Sequence, residues 1–418
     1  MFVKNFSKLL GLLVLAVTTL PAAAQGQQKG DAALASAYGV KCDGVADDTA
    51  AINHALSATA GRQLHFPAGT CLYAGGGVLQ EGSVIVGAGR HATVIRATRS
   101  DATLFTTYGT GSGIRGFKFN AAVTQTGGSY VLLNGQESFV EDFYMDGDYN
   151  GILMTGSVTR IRHGRFQDGA PGAIRIRAEG GDNSQMIDDV LMGAQQPQVS
   201  YAGIRVRNSA ALIISNTSVI QQGIGLLVDP YTHLGTPGVT DAGSVYSLWV
   251  HHCFFDNSGV NGIRIAPTGD GSVVRSRFDS VWAGSSAGDG VYIVNNGRGL
   301  VSGIHFTSPH LVLSGGSGIT TGGAVSDLAI VGGELVQNAH GAWLNPGASG
   351  VRITDATIGA GAGGTGNTGA GVVISKGADY VMLSNNDMRG NGTALVNNNP
   401  GSNQIIKNNF GAPSVGAQ

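Results

Sequence analysis

This 418-residue chain reads as an all-β protein, a single-stranded parallel β-helix in which short strands wind into stacked coils, and three observations carry that reading. The first is a four-residue phrase of Gly, a branched apolar residue, any residue and another apolar one. It stands as GILM at Gly151, GIRV at Gly203, GIGL at Gly223, GIRI at Gly262, GVYI at Gly290, GAWL at Gly341 and GVVI at Gly371, with looser copies at Gly172 and Gly318. The second is another phrase alternating with it: VEDFYM at Val140, IRHGRF at Ile161, IDDVLM at Ile187, ISNTSV at Ile214 and VHHCFF at Val250. It continues as VVRSRF at Val273, VSGIHF at Val301, IVGGEL at Ile330, ITDATI at Ile353, LSNNDM at Leu383 and IIKNNF at Ile405. The shared period of roughly 26 residues gives units too small to bury a core alone, which is the mark of a solenoid. The third is local: apolar residues alternate with period two, Gly and Asn punctuate them, and only one N-terminal stretch has helical spacing. Coils of this kind pair at about 4.8 Å.

Within the second phrase the third position holds Asp142, His163, Asp189, Asn216, His252, Asp355 and Asn385. Small or polar side chains that satisfy a bent backbone are expected there, so the column marks a tight turn between two strands. The phrase ends predict one interior ladder, Phe119, Met145, Phe166, Met192, Val219 and Phe255, then Phe278, Phe306, Leu335, Ile358, Met388 and Phe410.

In chain order, residues 1–24 combine Lys4 and Lys8, an apolar run from Leu9 to Leu20, and Ala22 and Ala24 in a small-residue cleavage pattern. That reads as a secretory signal peptide, leaving a β-helix domain over 25–418 in a secreted or periplasmic protein. Removing the two lysines leaves 23 basic against 27 acidic residues, a balance that argues against nucleic-acid or membrane-surface partners. No later apolar run is long enough for a membrane span. Cys42 and Cys71 flank the first strand-like segments and are expected to form a disulfide in an exported chain, leaving Cys253, inside an apolar phrase, as a buried thiol.

From Tyr38 to Gly89 the chain reads YGVKCDGVADDTAAINHAL, LHFPAGTCLY and SVIVGAG. Asp47, Asp48 and Thr49 are N-cap candidates for a helix whose apolar face is Ala50, Ala51, Ile52, Ala55 and Leu56 and which Gly61 ends. Such a helix covers the open end of a solenoid. This segment, residues 38–89, resembles the N-terminal signature of the pectate-lyase-like superfamily found in rhamnogalacturonase-, polygalacturonase- and tailspike-type proteins. The resemblance implies a right-handed β-helix with a short capping helix, and polysaccharide as the substrate class. It names no reaction, because such folds host hydrolases, lyases, epimerases and binders.

If the apolar residues of the first phrase face inward, the residue between them faces out, in a column of Leu153, Arg175, Arg205, Gly225, Arg264, Tyr292, Thr320, Trp343 and Val373. Stacked arginines suit the carboxylates of an acidic polysaccharide, and Tyr292 and Trp343 suit sugar faces, whereas pairing of the arginines with Glu179, Asp182 or Asp270 is the structural alternative. Three residues earlier stand Asn150, Gly172, Ala202, Gln222, Asn261, Asp289, Ser317, His340 and Ala370. Polygalacturonases, by resemblance, carry Asn-Thr-Asp-Gly, Asp-Asp and Gly-His-Gly motifs here. In this chain Asn261 replaces an Asp, Asp289 keeps the first of the pair, Gly290 replaces the second, Ser317 replaces the His, and His340 comes one coil later. The expected site is therefore Asp289 as acid, Arg264 as carboxylate clamp or lyase base, and His340 as an alternative base. Asn261, Arg175, Arg205, Tyr292 and Trp343 are the expected substrate contacts, walled by an insertion carrying Tyr231, His233 and Tyr246.

Weaker constellations are an Asp256 and Asp279 pair in adjacent coils and DGDYNG at Asp146, the first half of a calcium loop with Ser157 where the closing Glu belongs. No metal site or cofactor is expected, calcium being the one ion with any sequence signal. Two function classes follow. One is a lyase or glycoside hydrolase acting on a uronic-acid polysaccharide, and the other is a non-catalytic carbohydrate-binding or adhesin β-helix.

Overall fold

The structure is a computed structural model that describes residues 32–180, 184–194, 200–231, 243–360, 364–400 and 403–412. The expected signal segment, His233 and Asp182 lie outside the described residues. The chain winds as a parallel β-solenoid of about 13 turns with one short α-helix near its N-terminus. Each strand pairs in parallel with its counterpart one coil on. In the first sheet Phe139–Met145 pairs with Arg160–Phe166 and that with Met186–Met192. In the second, Asn150–Met154 pairs with Ile174–Glu179 and that with Ala202–Ala210.

The turn column falls where the sequence places it. Asp142, His163, Asp189, Asn216, His252, Asp355 and Asn385 all have φ between 49° and 59°, the left-handed region that Asn and Asp tolerate best. Ser280, Ser308 and Gly332 fill the coils between. The glycine of the first phrase has a different cause. A Cβ at Gly151 would lie 2.4 Å from a ring carbon of Phe166, and one at Gly341 would lie 2.5 Å from a methyl of Ile358, so in those coils only a bare backbone fits against the core at the corner.

The interior is continuous, with Phe119, Met145, Phe166, Met192, Val219 and Phe255 all buried in register. Beyond Phe255 the expected ladder slips. Phe255 pairs with Ala283, whereas Phe278 pairs with Val250 and Phe306 and stacks on Phe306 at 4.6 Å in the neighbouring ladder. VVRSRF and VSGIHF share the apolar spacing of the earlier phrases but sit one strand ahead of them. Phe410 lies outside, 64% exposed beneath Arg389. The same slip separates Asp256, which pairs with Gly284, from Asp279, which pairs with His251 and Thr307, so the two acids do not form a pair.

In the C-terminal coils an amide ladder complements the apolar core. The backbone N–H of Ser314 donates to Asn338, that of Asn338 to Asn367, and that of Asn367 to Asn391, at 2.8 to 3.0 Å. Asn386 and Asn409 repeat the device at a second corner. Buried backbone donors need partners, and these side chains supply them where coils are poor in charge.

At the other end the helix Thr49–Ala58 buries Ile52, Ala55 and Leu56 and packs on Gly77–Leu79. Asp47 accepts the N–H of Thr49, whereas Asp48 turns away to accept those of Lys41 and Cys42. The helix ends at Ala58, before Gly61. Cys42 and Cys71 are joined by a disulfide, and Cys253 is a free buried thiol. Burial pushes that thiol up to about 12.

Candidate functional site

The outer face of the second sheet carries the candidate residues, but the column differs from expectation in two coils. Leu153 pairs with Arg177, Arg177 with Arg205, Arg205 with Leu227, and Leu227 with Arg264. Arg264, Tyr292, Thr320, Trp343 and Val373 then follow in register as expected. Arg177 and Leu227 thus take the places expected of Arg175 and Gly225. The misleading signals are Gly172 and Gly223, glycines three and two residues before their corners. Ile174 and Ile224 likewise replace Gly172 and Gln222 at the strand head.

Arg175 is consequently no substrate contact. It occupies the corner position that is glycine in neighbouring coils, points inward, and is fully buried. Its guanidinium donates to Asp148 through Nε at 2.9 and 3.1 Å and through Nη2 at 2.6 Å, donates to the Gln167 carbonyl, and lies 5.1 Å over the Phe166 ring. Asp148 is equally buried, so the calcium-type stretch spends its second carboxylate on an internal ion pair. Burial holds the nearby Asp146 carboxyl above its usual range.

Towards the N-terminal end of this face the arginines are matched by acids. Arg177 is paired with Glu179, and Arg205 with Asp229 in a two-pronged contact. Arg207 lies 3.4 Å from Asp229 and 4.4 Å over the Tyr231 ring. Burial pushes the Asp229 carboxyl up to about 6 against the pull of Arg205. Glu179 is one of the acids the sequence offered as an arginine partner, whereas Arg177, Arg207 and Asp229 become legible only through correct register.

Farther along, the pairing stops. Arg264 has no carboxylate within 4 Å among the described residues and lies 5.5 Å over the ring of Tyr292. Asp289, three residues before Tyr292 at the head of its strand, is half-buried. Burial lifts its carboxyl above the usual range, opposed by the Ser317 N–H, which donates at 2.7 Å, by the Thr320 hydroxyl, and by the charge of His340. Asn261 does not touch that carboxylate; its amide donates to the Asp289 carbonyl at 3.2 Å. The Nδ1 of His340 accepts the N–H of Ala370 at 2.9 Å, so in the neutral ring the proton sits on Nε2. Trp343 meets the His340 ring edge-on at 4.9 Å and donates its indole N–H to Ser375 at 3.2 Å. The strand heads Asn261, Asp289, Ser317 and His340 therefore fall on successive coils, with Ser317 and Thr320 the two contacts that the sequence reading left without a role.

Residues 35–233 match the family model described as rhamnogalacturonase A/epimerase, pectate lyase-like. That match covers just under half of the chain and identifies residues 35–233 as pectate-lyase-like. No curated protein matches it in sequence. Among solved structures it is similar to the A-module of the mannuronan C-5 epimerase AlgE6 of Azotobacter vinelandii, at 16% identity over 92% of this chain and 100% of that one, with a TM-score of 0.61. It is also similar to a surface adhesin of Streptococcus pneumoniae, PfbA, at 11% identity over 84% and 92% with a TM-score of 0.56. An exopolygalacturonase of Thermotoga maritima matches at 12% identity over 88% and 92%, with a TM-score of 0.52. At these identities the likeness is one of fold. The same fold thus carries both enzymes and an adhesin, and the site must decide between them. Among the described residues no helix is long and apolar enough to cross a membrane.

Proposed function

We propose that this pectate-lyase-like protein is an exported enzyme that cleaves an acidic, uronic-acid polysaccharide by β-elimination. The observation that carries the reading is Arg264, a cation without a carboxylate partner among the described residues, on the same open strip as a desolvated aspartate. A bound uronate carboxylate would complete its charge. A guanidinium has donors and no acceptor, so Arg264 fits the clamp and not the base. Asp289 is the only carboxylate on the second-sheet strands and strand heads from Asn261 to Ile374, whereas glycoside hydrolysis uses two flanking the bond.

In this reading Arg264 neutralises the sugar carboxylate and makes the adjacent C5 proton more acidic. Asp289, made a stronger base by desolvation, takes that proton. The electron pair forms the C4–C5 double bond, the C4–O4 bond breaks, and the leaving oxygen takes a proton from water while the Nε2–H of His340 donates a hydrogen bond to it. Tyr292 and Trp343 stack on flanking sugars. Coil spacing of about 4.8 Å is close to one sugar length, so a chain lying along the axis meets these residues in sequence. Export is supported by the signal-like first 24 residues and by the Cys42–Cys71 disulfide, which suits an oxidising compartment.

The test is incubation with a panel of uronic-acid polymers. Ultraviolet-absorbing unsaturated ends are expected. Reducing ends without that absorbance mean hydrolysis, exchange of the C5 proton without cleavage means epimerisation, and retention without turnover means a binding protein like the adhesin neighbour.

A further inference from the structure

The first sheet presents a second feature, on strands that carry none of the residues given a role in the proposed elimination. Trp249, Phe254 and Tyr246 are each about half exposed, at 50%, 51% and 49%, within a single coil of a small-residue-rich chain. Phe254 pairs in register with Trp282 and Trp282 with His310, and the three rings form a ladder along the axis with centroids 6.3 and 6.1 Å apart and planes within 29°. Those separations exceed the coil rise of about 4.8 Å, so the rings are offset and each keeps part of a face uncovered. Trp282 is fixed in place by its indole N–H, which donates to Asp256 at 3.0 Å. Across the turn column Trp249 stands over a groove of about 370 Å³ floored by His251, Arg277, Asp279 and Thr307. Arg277 lines it without a carboxylate within 4 Å among the described residues.

We propose that this face is a separate binding site for a neutral polysaccharide chain lying along the solenoid axis. Aromatic faces repeated at close to one sugar length, flanked by donors and acceptors, are what a polyhydroxylated ring with an apolar face requires. Charge selects the class. Arg277 is outnumbered by Asp256, Asp279 and Glu334, so the strip repels polyuronates and differs in that respect from the strip around Arg264. The site does not depend on the elimination reading: it uses other strands, other side chains and an uncharged ligand. It would hold the enzyme on a composite matrix while the second sheet works on the acidic component, adding avidity without a new catalytic contact.

The experiment is affinity electrophoresis of the full mature protein in native gels containing one polymer at a time: soluble β-glucan, xylan, mannan, dextran, polygalacturonate or alginate. The parent, Trp249→Ala, Trp282→Ala, Phe254→Ala and Arg264→Ala are run together, and thermal unfolding confirms that each variant is folded. Phe254→Ala serves as the readout should Trp282→Ala fail to fold, and quenching of parent tryptophan fluorescence by the retarding polymer gives a check that needs no variant. At least one neutral polymer is expected to retard the parent, with binding weakened about tenfold in each aromatic variant, the size of one lost stacking contact, and unchanged in Arg264→Ala. Three results overturn the proposal: no neutral polymer retards the parent, retardation survives all three aromatic substitutions, or the aromatic variants instead dissolve a dimer seen by sedimentation. Retardation confined to the acidic polymers and abolished by Arg264→Ala overturns it too, while leaving the elimination reading intact.

Discussion

The two halves of the second sheet's outer face are built from the same columns and end in opposite states. Towards the N-terminus Arg177, Arg205 and Arg207 share Glu179 and Asp229, and the charges are consumed within the protein. Towards the C-terminus Arg264 stands beside Tyr292 with no carboxylate within 4 Å among the described residues, and Asp289 is held by backbone and hydroxyl donors and the nearby His340 instead of by an arginine. A stack of arginines is thus no evidence of a ligand until its partners are known. Arg205 and Arg264 look alike in sequence, yet one is a strut and the other a vacancy for charge.

The largest expected difference between the halves is in turnover. Asp289→Asn should lower the rate of elimination about 10²- to 10⁴-fold, the usual share of a general base, with polymer binding nearly unchanged. The parent's activity should rise with pH along an acidic limb lying above 3.8, because burial raises the carboxyl that must be ionised to act as base. Single-turnover kinetics on a defined oligouronate separate the two effects. Asp229→Asn, on the closed half, should leave the rate constant of the chemical step as it was.

Next comes stability, where the closed half should lose more. Arg175→Ala leaves Asp148 buried and alone, and should cost about 3–5 kcal/mol by denaturant unfolding. Replacing both members with apolar residues of similar volume should recover most of that loss. A small cost for Arg175→Ala would mean that water reaches this corner.

This pair also shows where sequence reading stops. The coil repeat, the turn column and the helix face were legible because each rests on a local property: period, φ tolerance, amphipathic spacing. Register was not, because Gly172 imitates a corner glycine and Arg175 and Arg177 have the same identity two residues apart. Side chains two apart on a strand normally share a face, and only the bend at the corner sends Arg175 inward while Arg177 points out. Phe278 and Phe306 misled in the same way, since two adjacent strands end in the same apolar phrase. Asp289 and His340 were legible as strand heads, but Thr320 and Ser317 needed coordinates to show that they meet the carboxylate. Partners in space are invisible in a one-dimensional column, which is why Arg264 and Arg205 could not be told apart.

The two arginines separate in binding. Arg264→Ala should weaken retention of a polyuronate about tenfold at low salt, as expected for one charge-assisted contact, and by less at high salt where screening has already blunted it. Arg205→Ala should leave that affinity within about twofold at neutral pH, since Asp229 already occupies its fork.

The smallest effect is the one that can turn one half into the other. Burial pushes the Asp229 carboxyl up to about 6 in the folded protein, above the ordinary carboxylate value of 3.8. A raised carboxyl favours the folded state when protonated, so its contribution to stability is complete below 3.8 and is lost as pH rises through about 6. The slope between those limits, of order 3 kcal/mol in total, should vanish in Asp229→Asn. Protonation also releases Arg205 and Arg207 from their acid, which makes the closed half resemble the open one. In an Arg264→Ala background, residual polyuronate retention should therefore climb about fivefold as pH falls through 6, the worth of one partly exposed ion pair made available. With Asp229→Asn added, retention should be high and flat across the same range. A flat response in Arg264→Ala alone would show that Asp229 stays ionised against its two arginines, and that what separates the two halves is the lasting strength of that pairing.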